Sequence, residues 1–320
     1  MFVEDIGIIG AGIAGYSAAL LLTTFGYRPV IFSGSKNGEK KVSHVIATPE
    51  LSNYPGILTT LTGEEFYLIL EKQVKSCGVT TLDETVTKVV TDNKCIQVVT
   101  NERIYHFKTI LLATGLSHIP INIKGARELY GKRIFRCIAC DPNYPDVTDK
   151  TVCVIGCGDN AIETALQLNK TANHVIVFVR HDKLKASKVL INQLSRVCDI
   201  DRNSSNTSKN ISIMLSTTIT SIDENFINYC NNGTENKTHY DYIFVAIGHK
   251  PVTDFVEGLQ TDDTGYVTTK HMSTETNILN VFACGIVANP KYQTTTATVG
   301  SGSMAATDIM LALTNNQATV

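Results

Sequence analysis

Cys137 and Cys140 are the only close-spaced pair among the nine cysteines, in the run Cys137-Ile138-Ala139-Cys140-Asp141. Thiols at this spacing do redox chemistry. One thiolate attacks a disulfide and the other resolves the mixed disulfide that forms. Asp141 beside them is followed by Pro142, a pairing that also suits a helix cap. A structural zinc site needs four ligands, and no second Cys or His pair follows at finger spacing, so metal is not expected. The remaining cysteines are scattered through apolar runs, and the odd total does not suit the framework of a secreted disulfide scaffold.

Two glycine-rich turns supply a second kind of chemistry. Gly10-Ala11-Gly12-Ile13-Ala14-Gly15 follows the apolar run Ile6–Ile9 and precedes an Ala/Leu-rich stretch, Tyr16–Phe25. Strand before and helix after mark a dinucleotide-binding turn. The first glycine makes the turn, the second admits a pyrophosphate, and the third lets helix and strand close up. The helix N-terminus then offers its N–H groups to the phosphates. The acidic residue that usually ends the next strand is missing, and Ser33-Gly34 stands there, so something other than a carboxylate is expected to hold the ribose. The pattern restarts after the strand Thr151–Ile155, with Gly156-Cys157-Gly158-Asp159-Asn160-Ala161 and a helix to Asn169. Arg180, His181, Lys183 and Lys185 follow the strand Val175–Val179, where a 2′-phosphate would sit, which favours NADP over NAD. Two such units imply two dinucleotides, or one dinucleotide and a relic.

The elements that must position these groups follow from local pattern. A helix is predicted over Glu64–Val74, strands at Lys88–Val90 and Ile96–Val99, and a buried strand running into Ala113-Thr114-Gly115. Phe244-Val245-Ala246-Ile247-Gly248 echoes that strand end. The two echoes read as the crossings of an inserted domain, giving a discontinuous domain of residues 1–117 and 248–320 with residues 118–247 inserted. A Gly/Ala/Ser-rich helix is expected from Gly300 to Leu313. The chain has 320 residues, 43% hydrophobic and 18% charged, enough for two domains with cores and not a disordered composition. With 28 Lys and Arg against 30 Asp and Glu, no polyanion-binding surface is expected. Apolar runs such as Ala18–Leu22 are far shorter than the roughly 20 residues of a spanning helix. The glycine-rich motif lies so near Met1 that no signal peptide is expected, and a cytoplasmic protein is. The Asn-x-Ser/Thr sequons between Asn203 and Thr238 then reflect composition alone.

Taken in order, the motifs resemble the low-molecular-weight thioredoxin reductases over the whole chain. The matching segments are Gly10–Gly15, Asn53-Tyr54-Pro55-Gly56, Ala113-Thr114-Gly115, Cys137–Asp141, Gly156–Ala161 with Glu163, Phe244–Pro251, and Val281–Gly285 with Gly300–Ala306. A Cys-x-x-Cys just before the second glycine-rich turn separates this family from larger disulfide reductases. The fold class implied is α/β, with two Rossmann-like domains of the three-layer ββα type, the second inserted in the first. The resemblance implies FAD in the discontinuous domain, NADPH in the inserted one, and a homodimer. Cys140 would face the flavin, Cys137 would attack thioredoxin or a thioredoxin-like protein, and Asp141 would move the proton. The FAD contacts would come from Gly10, Gly12, Ala14, Gly15, Ser33, Gly34, His44, Val45, Asn53, Thr114, Gly115, Gly285, Ile286, Thr294 and Thr295. Those to NADPH would come from Gly156, Gly158, Asp159, Asn160, Arg180, His181, Lys185 and Gly248. In this family the inserted domain also rotates, which places hinges near residues 115–120 and 246–250.

Departures from the family gather at the cofactor contacts. The family's Gly-Gly-Gln-Leu beside the flavin ring falls on Val42-Ser43-His44-Val45, and its Gly-Asp on Gly285-Ile286. Its Arg-Gln-Ala falls on Gln293-Thr294-Thr295, and its His-Arg-Arg on Val179-Arg180-His181, with Lys185 where a further Arg is expected. Losing the Asp removes a charge-assisted hydrogen bond, worth roughly 1.5–3 kcal/mol if unreplaced. Three other readings use the same residues: a donor such as ferredoxin, a flavin dithiol oxidase that closes a small molecule's disulfide with oxygen as acceptor, and a binding protein that has lost its flavin.

Overall fold

The structure, a computed structural model, describes residues 4–34, 43–48, 50–92, 95–136, 138, 141, 144–198 and 210–317. The chain forms two compact units, Met1–Ser117 with Lys250–Val320, and His118–His249.

The first unit opens with β1 (Glu4–Ile9), α1 (Ile13–Thr24) and β2 (Val30–Phe32). The last four residues of β1 are buried, as expected of a central parallel strand. Helix α1 buries residues all round, so its sequence is small and apolar with no polar face. Helix α2 (Gly63–Ser76) starts at a capping box, in which Glu65 N–H donates to Thr62 Oγ1 and Thr62 N–H donates to the Glu65 carboxylate. This satisfies two donors that the first turn otherwise leaves unpaired. Strands β3 (Thr80–Leu82), β4 (Val86–Thr91), β5 (Ile96–Thr100) and β6 (Ile104–Leu112) complete the first stretch. The sheet order is β3-β2-β1-β6-β5-β4, parallel from β3 to β6 and antiparallel from β6 to β4.

After β7 (Leu116–His118) the chain enters the second unit. In order come α3 (Ala126–Leu129), β8 (Ile134–Phe135), β9 (Thr151–Ile155), α4 (Asp159–Leu168), β10 (His174–Phe178) and α5 (Lys188–Val197). They are followed by β11 (Ile211–Met214), β12 (Thr217–Ile222), β13 (Phe226–Asn231), β14 (Thr234–His239) and β15 (Tyr242–Val245). A five-stranded parallel sheet of order β11-β10-β9-β15-β8 carries the core, and β12-β13-β14 form an antiparallel meander. The chain leaves through β16 (His249–Pro251), which pairs with β7 as a two-stranded ribbon. Back in the first unit, β17 (Val281–Ala283) pairs parallel with the end of β6. Helix α6 (Thr295–Gln317) then packs on α1 through Ala305 and Ala306.

Two buried polar arrangements hold the first unit in shape. Glu84, 7% exposed, accepts hydrogen bonds from Tyr105 Oη at 2.6 Å and Thr100 Oγ1 at 2.7 Å, with Arg103 at 3.5 Å. These partners hold its pKa below the usual carboxylate range against burial, the largest single influence, which pushes it up. Tyr67 Oη donates to Ala11 O at 3.0 Å, so the 3.2 Å contact between Tyr16 and Tyr67 has Tyr16 as donor. Burial pushes the Tyr67 phenol up to about 12 and raises Tyr16 as well, so both stay protonated donors. Replacing Glu84 by Gln is expected to cost about 1–3 kcal/mol, read as a lower urea midpoint, because one buried hydroxyl loses its acceptor. An unchanged midpoint would refute the clamp.

His174, half-buried in β10, has its Nε2 2.8 Å from Ser212 Oγ, and burial lowers its pKa. A folded-state pKa below the unfolded value of about 6.5 means the unfolded chain takes up protons first as pH falls. Stability is therefore complete above that value and declines as pH drops through it. The urea midpoint should fall between pH 7.5 and 5.5, and less so in His174→Gln. Equal slopes in both proteins would exclude this source.

Candidate dinucleotide sites in the two units

In the first unit the sequence-predicted residues converge on the N-terminus of α1. Gly10 has φ +116°, and a Cβ there would lie 2.3 Å from Ala113 O; at Gly15 it would lie 2.1 Å from Gly10 O. Only glycine permits this approach, which draws the β1–α1 turn against the end of β6. Gly12 precedes α1 and no side chain caps the helix, so its first N–H groups remain available to a phosphate. Gly285, at φ +74°, brings Ala14 to within 2.9 Å of where its Cβ would stand, and its N–H donates to Ser301 Oγ at 2.9 Å. Gly115 faces Ile286, 3.8 Å from its Cβ position, and Thr114 Oγ1 donates to Val252 O at 2.7 Å. Ile286 thus puts an apolar side chain beside Gly115.

Other predicted contacts are placed differently. Ser43 Oγ would lie 3.9 Å from a Cβ at Gly12, which sets the short 3-10 turn His44–Ala47 beside the glycine-rich turn. His44 is exposed, yet desolvation lowers its pKa and outweighs a hydrogen bond to the Leu116 backbone. Val45, the next residue, is 5% exposed and belongs to the core of the first unit. Asn53 is exposed in the turn that follows. Thr294 Oγ1 accepts from Ala297 N at 3.3 Å and so caps α6, which Thr295 begins.

The end of β2, where Ser33-Gly34 stands in place of the usual acidic residue, has a carboxylate beside it. Ser33 Oγ donates to Asp83 Oδ1 at 2.9 Å, which brings an acidic group from the end of β3 to the end of β2. Nothing local in the sequence marks Asp83. The pairing of two parallel strands delivers it.

The second unit repeats the construction. Gly156 has φ +153°, and its Cβ would lie 2.3 Å from Ala246 O. Gly158 precedes α4 with φ −92°, and no heavy atom lies within 4 Å of its Cβ position. A cavity of about 800 Å³ opens here, lined by Gly156, Gly158, Asp159, Asn160 and Gly248, with Arg180, His181 and Lys185 also on its wall. Asp159 Oδ1 accepts from Ser187 N at 2.6 Å and Cys157 O accepts from Lys185 N at 2.7 Å, so the basic segment is tied to the glycine-rich turn. Thr217, Thr218 and the run Ile119–Ile123 line the cavity too, and sequence reasoning passed over them. Val179 is fully buried, so Arg180 and His181 alone of that tripeptide face the cavity. Cys137 and Cys140 lie outside the described residues. Asp141 is half-buried, and its carbonyl accepts from Tyr144 N at 3.2 Å.

Residues 4–302 match the family model described as pyridine nucleotide-disulphide oxidoreductase. A thioredoxin reductase of Neurospora crassa is 31% identical across 99% of the chain and 95% of its own length. The chain belongs to this oxidoreductase family, on its thioredoxin reductase branch. A Chlamydia trachomatis thioredoxin reductase is 32% identical over 94% of the chain and 96% of its own length. Among solved structures, Lactococcus lactis thioredoxin reductase superposes with a TM-score of 0.80, at 26% identity over 98% of the chain and 99% of that protein. The chain is accordingly an oxidoreductase with two Rossmann-like domains. No described helix is long and apolar enough to cross a membrane.

The two glycines of the second turn separate folding from binding. Gly156→Ala should destabilise the protein by about 3 kcal/mol, through strain and a backbone clash. Gly158→Ala should melt near wild type yet lose dinucleotide affinity about tenfold or more, because the new methyl occupies the phosphate's approach. Calorimetry beside ligand titration distinguishes them, and equal behaviour of the two variants would refute the division.

Proposed function

We propose that the protein is an FAD-dependent disulfide reductase that passes electrons from NADPH to thioredoxin or a thioredoxin-like protein in the cytoplasm. The observation carrying this reading is one glycine-cradled turn in each unit, the second beside a cavity of about 800 Å³ with Arg180, His181 and Lys185 on its wall. FAD fits the first unit, where Gly10, Gly12, Ala14, Gly15, Thr114, Gly115 and Gly285 would hold it. Bound there, FAD supplies hydride acceptance and two-electron delivery to a disulfide. NADPH fits the cavity of the second unit, with Gly158 and the α4 N-terminus toward its pyrophosphate. Arg180 and Lys185 supply positive charge for a 2′-phosphate.

The thiol steps belong to this chain's own residues. The Cys137 thiolate attacks the partner's disulfide, forms a mixed disulfide and releases one partner thiolate, which Asp141 protonates. The Cys140 thiolate then displaces the second partner sulfur and closes the Cys137–Cys140 disulfide. The partner leaves as a dithiol. The free thiols Cys77, Cys95, Cys153, Cys157, Cys198, Cys230 and Cys284 agree with a reducing compartment. Exposed Leu68 and Ile69 on α2, with Met304 and Leu311 on α6, support a homodimer, which sedimentation would report as twice the chain mass.

Anaerobic titration of the purified protein with NADPH tests the reading. The oxidised-flavin band should bleach at near-stoichiometric NADPH and much less readily with NADH. Arg180→Ala should raise the KM for NADPH about tenfold or more and leave that for NADH little changed. Cys140→Ser should keep the flavin and lose disulfide reduction. A yellow protein that NADPH fails to bleach would point to ferredoxin or oxygen, and a colourless one to a binding protein.

A further inference from the structure

Parallel strands deliver their C-terminal ends to one edge of the sheet, and in dinucleotide folds that edge holds the ligand. Strands β2 and β3 run in register, with Val30 opposite Thr80 and Phe32 opposite Leu82. The next residues, Ser33 and Asp83, therefore emerge side by side at the ligand edge. Ser33 Oγ donates to Asp83 Oδ1 at 2.9 Å, so the carboxylate stands just beyond the hydroxyl, within the reach an acidic side chain at position 33 would have.

The surroundings hold it there. Ser33 N–H donates to Leu82 O at 2.9 Å, and Gly34 N–H to Glu84 O at 3.1 Å. Thr85 Oγ1 donates to Gly34 O at 3.2 Å. Glu84 is buried among Tyr105, Thr100 and Arg103, so the residue after Asp83 is anchored while Asp83 itself stays exposed. Adjacent carboxylates thus take different tasks, one inside the unit and one facing out. Gly34 turns away at φ +73°, with no heavy atom within 4 Å of its Cβ position.

We propose that Asp83 accepts the hydrogen bonds of the adenosine ribose hydroxyls of FAD, a task the fold ordinarily gives to the last residue of β2. The proposal rests on reading the first unit as the flavin site. An ionised carboxylate accepts from two ribose hydroxyls and repels a 2′-phosphate, so the same group also selects against an NADP-type ligand in this unit.

FAD and FMN separate the possibilities, because FMN lacks the adenosine. Their dissociation constants would be measured by flavin fluorescence on the flavin-freed full chain. Asp83→Asn should weaken FAD about ten- to a hundredfold and leave FMN unchanged. Adding Ser33→Glu to Asp83→Asn should restore most of the FAD affinity. Unchanged FAD affinity in Asp83→Asn, or an equal loss for FAD and FMN, would overturn the proposal. A wild-type chain that binds no FAD, or binds it no tighter than FMN, would bring down the flavin reading and the proposal with it.

Discussion

The structure depends on one constraint used twice, a glycine whose missing side chain lets a turn rest on a carbonyl oxygen. A Cβ at Gly10 would stand 2.3 Å from Ala113 O, and one at Gly156 the same distance from Ala246 O. Neither contact survives any other residue. Each fixes where a central strand ends, where a helix starts and which way its unpaired N–H groups point. Sheet order, cavity and basic wall are arranged around those two points.

Two buried polar networks brace the first unit. The hydroxyl chain from Tyr16 through Tyr67 to Ala11 O runs in one direction, and the raised phenol pKa values keep it so at any ordinary pH. Glu84 does for the far end of the first sheet what the tyrosines do for the turn. Ile286 is the exception in kind. Its apolar side chain packs by Gly115 and brings no hydrogen-bonding group there.

Much of this was legible in the sequence because it is written locally. The glycine-rich turns stand where their spacing put them, and the helix expected at Glu64–Val74 runs Gly63–Ser76. The helix expected at Gly300–Leu313 extends to Thr295–Gln317, since its small residues continue toward both ends. The meander β12-β13-β14 was not legible, because β14 lies largely in solvent and the Thr- and Asn-rich β12 and β13 offer little apolar alternation to read. Asp83 was invisible for a deeper reason. It meets Ser33 across 50 residues of chain, and only strand register makes them neighbours.

The two carbonyls that seat the glycines occupy telling places. Ala113 stands just before the chain leaves the first unit, and Ala246 just before it leaves the second. Each tight contact also closes within its own unit, Gly10 with Ala113 and Gly156 with Ala246. Excising residues 118–249 as a block would sever neither. The two cradles are therefore independent of one another, each carried whole by its own unit.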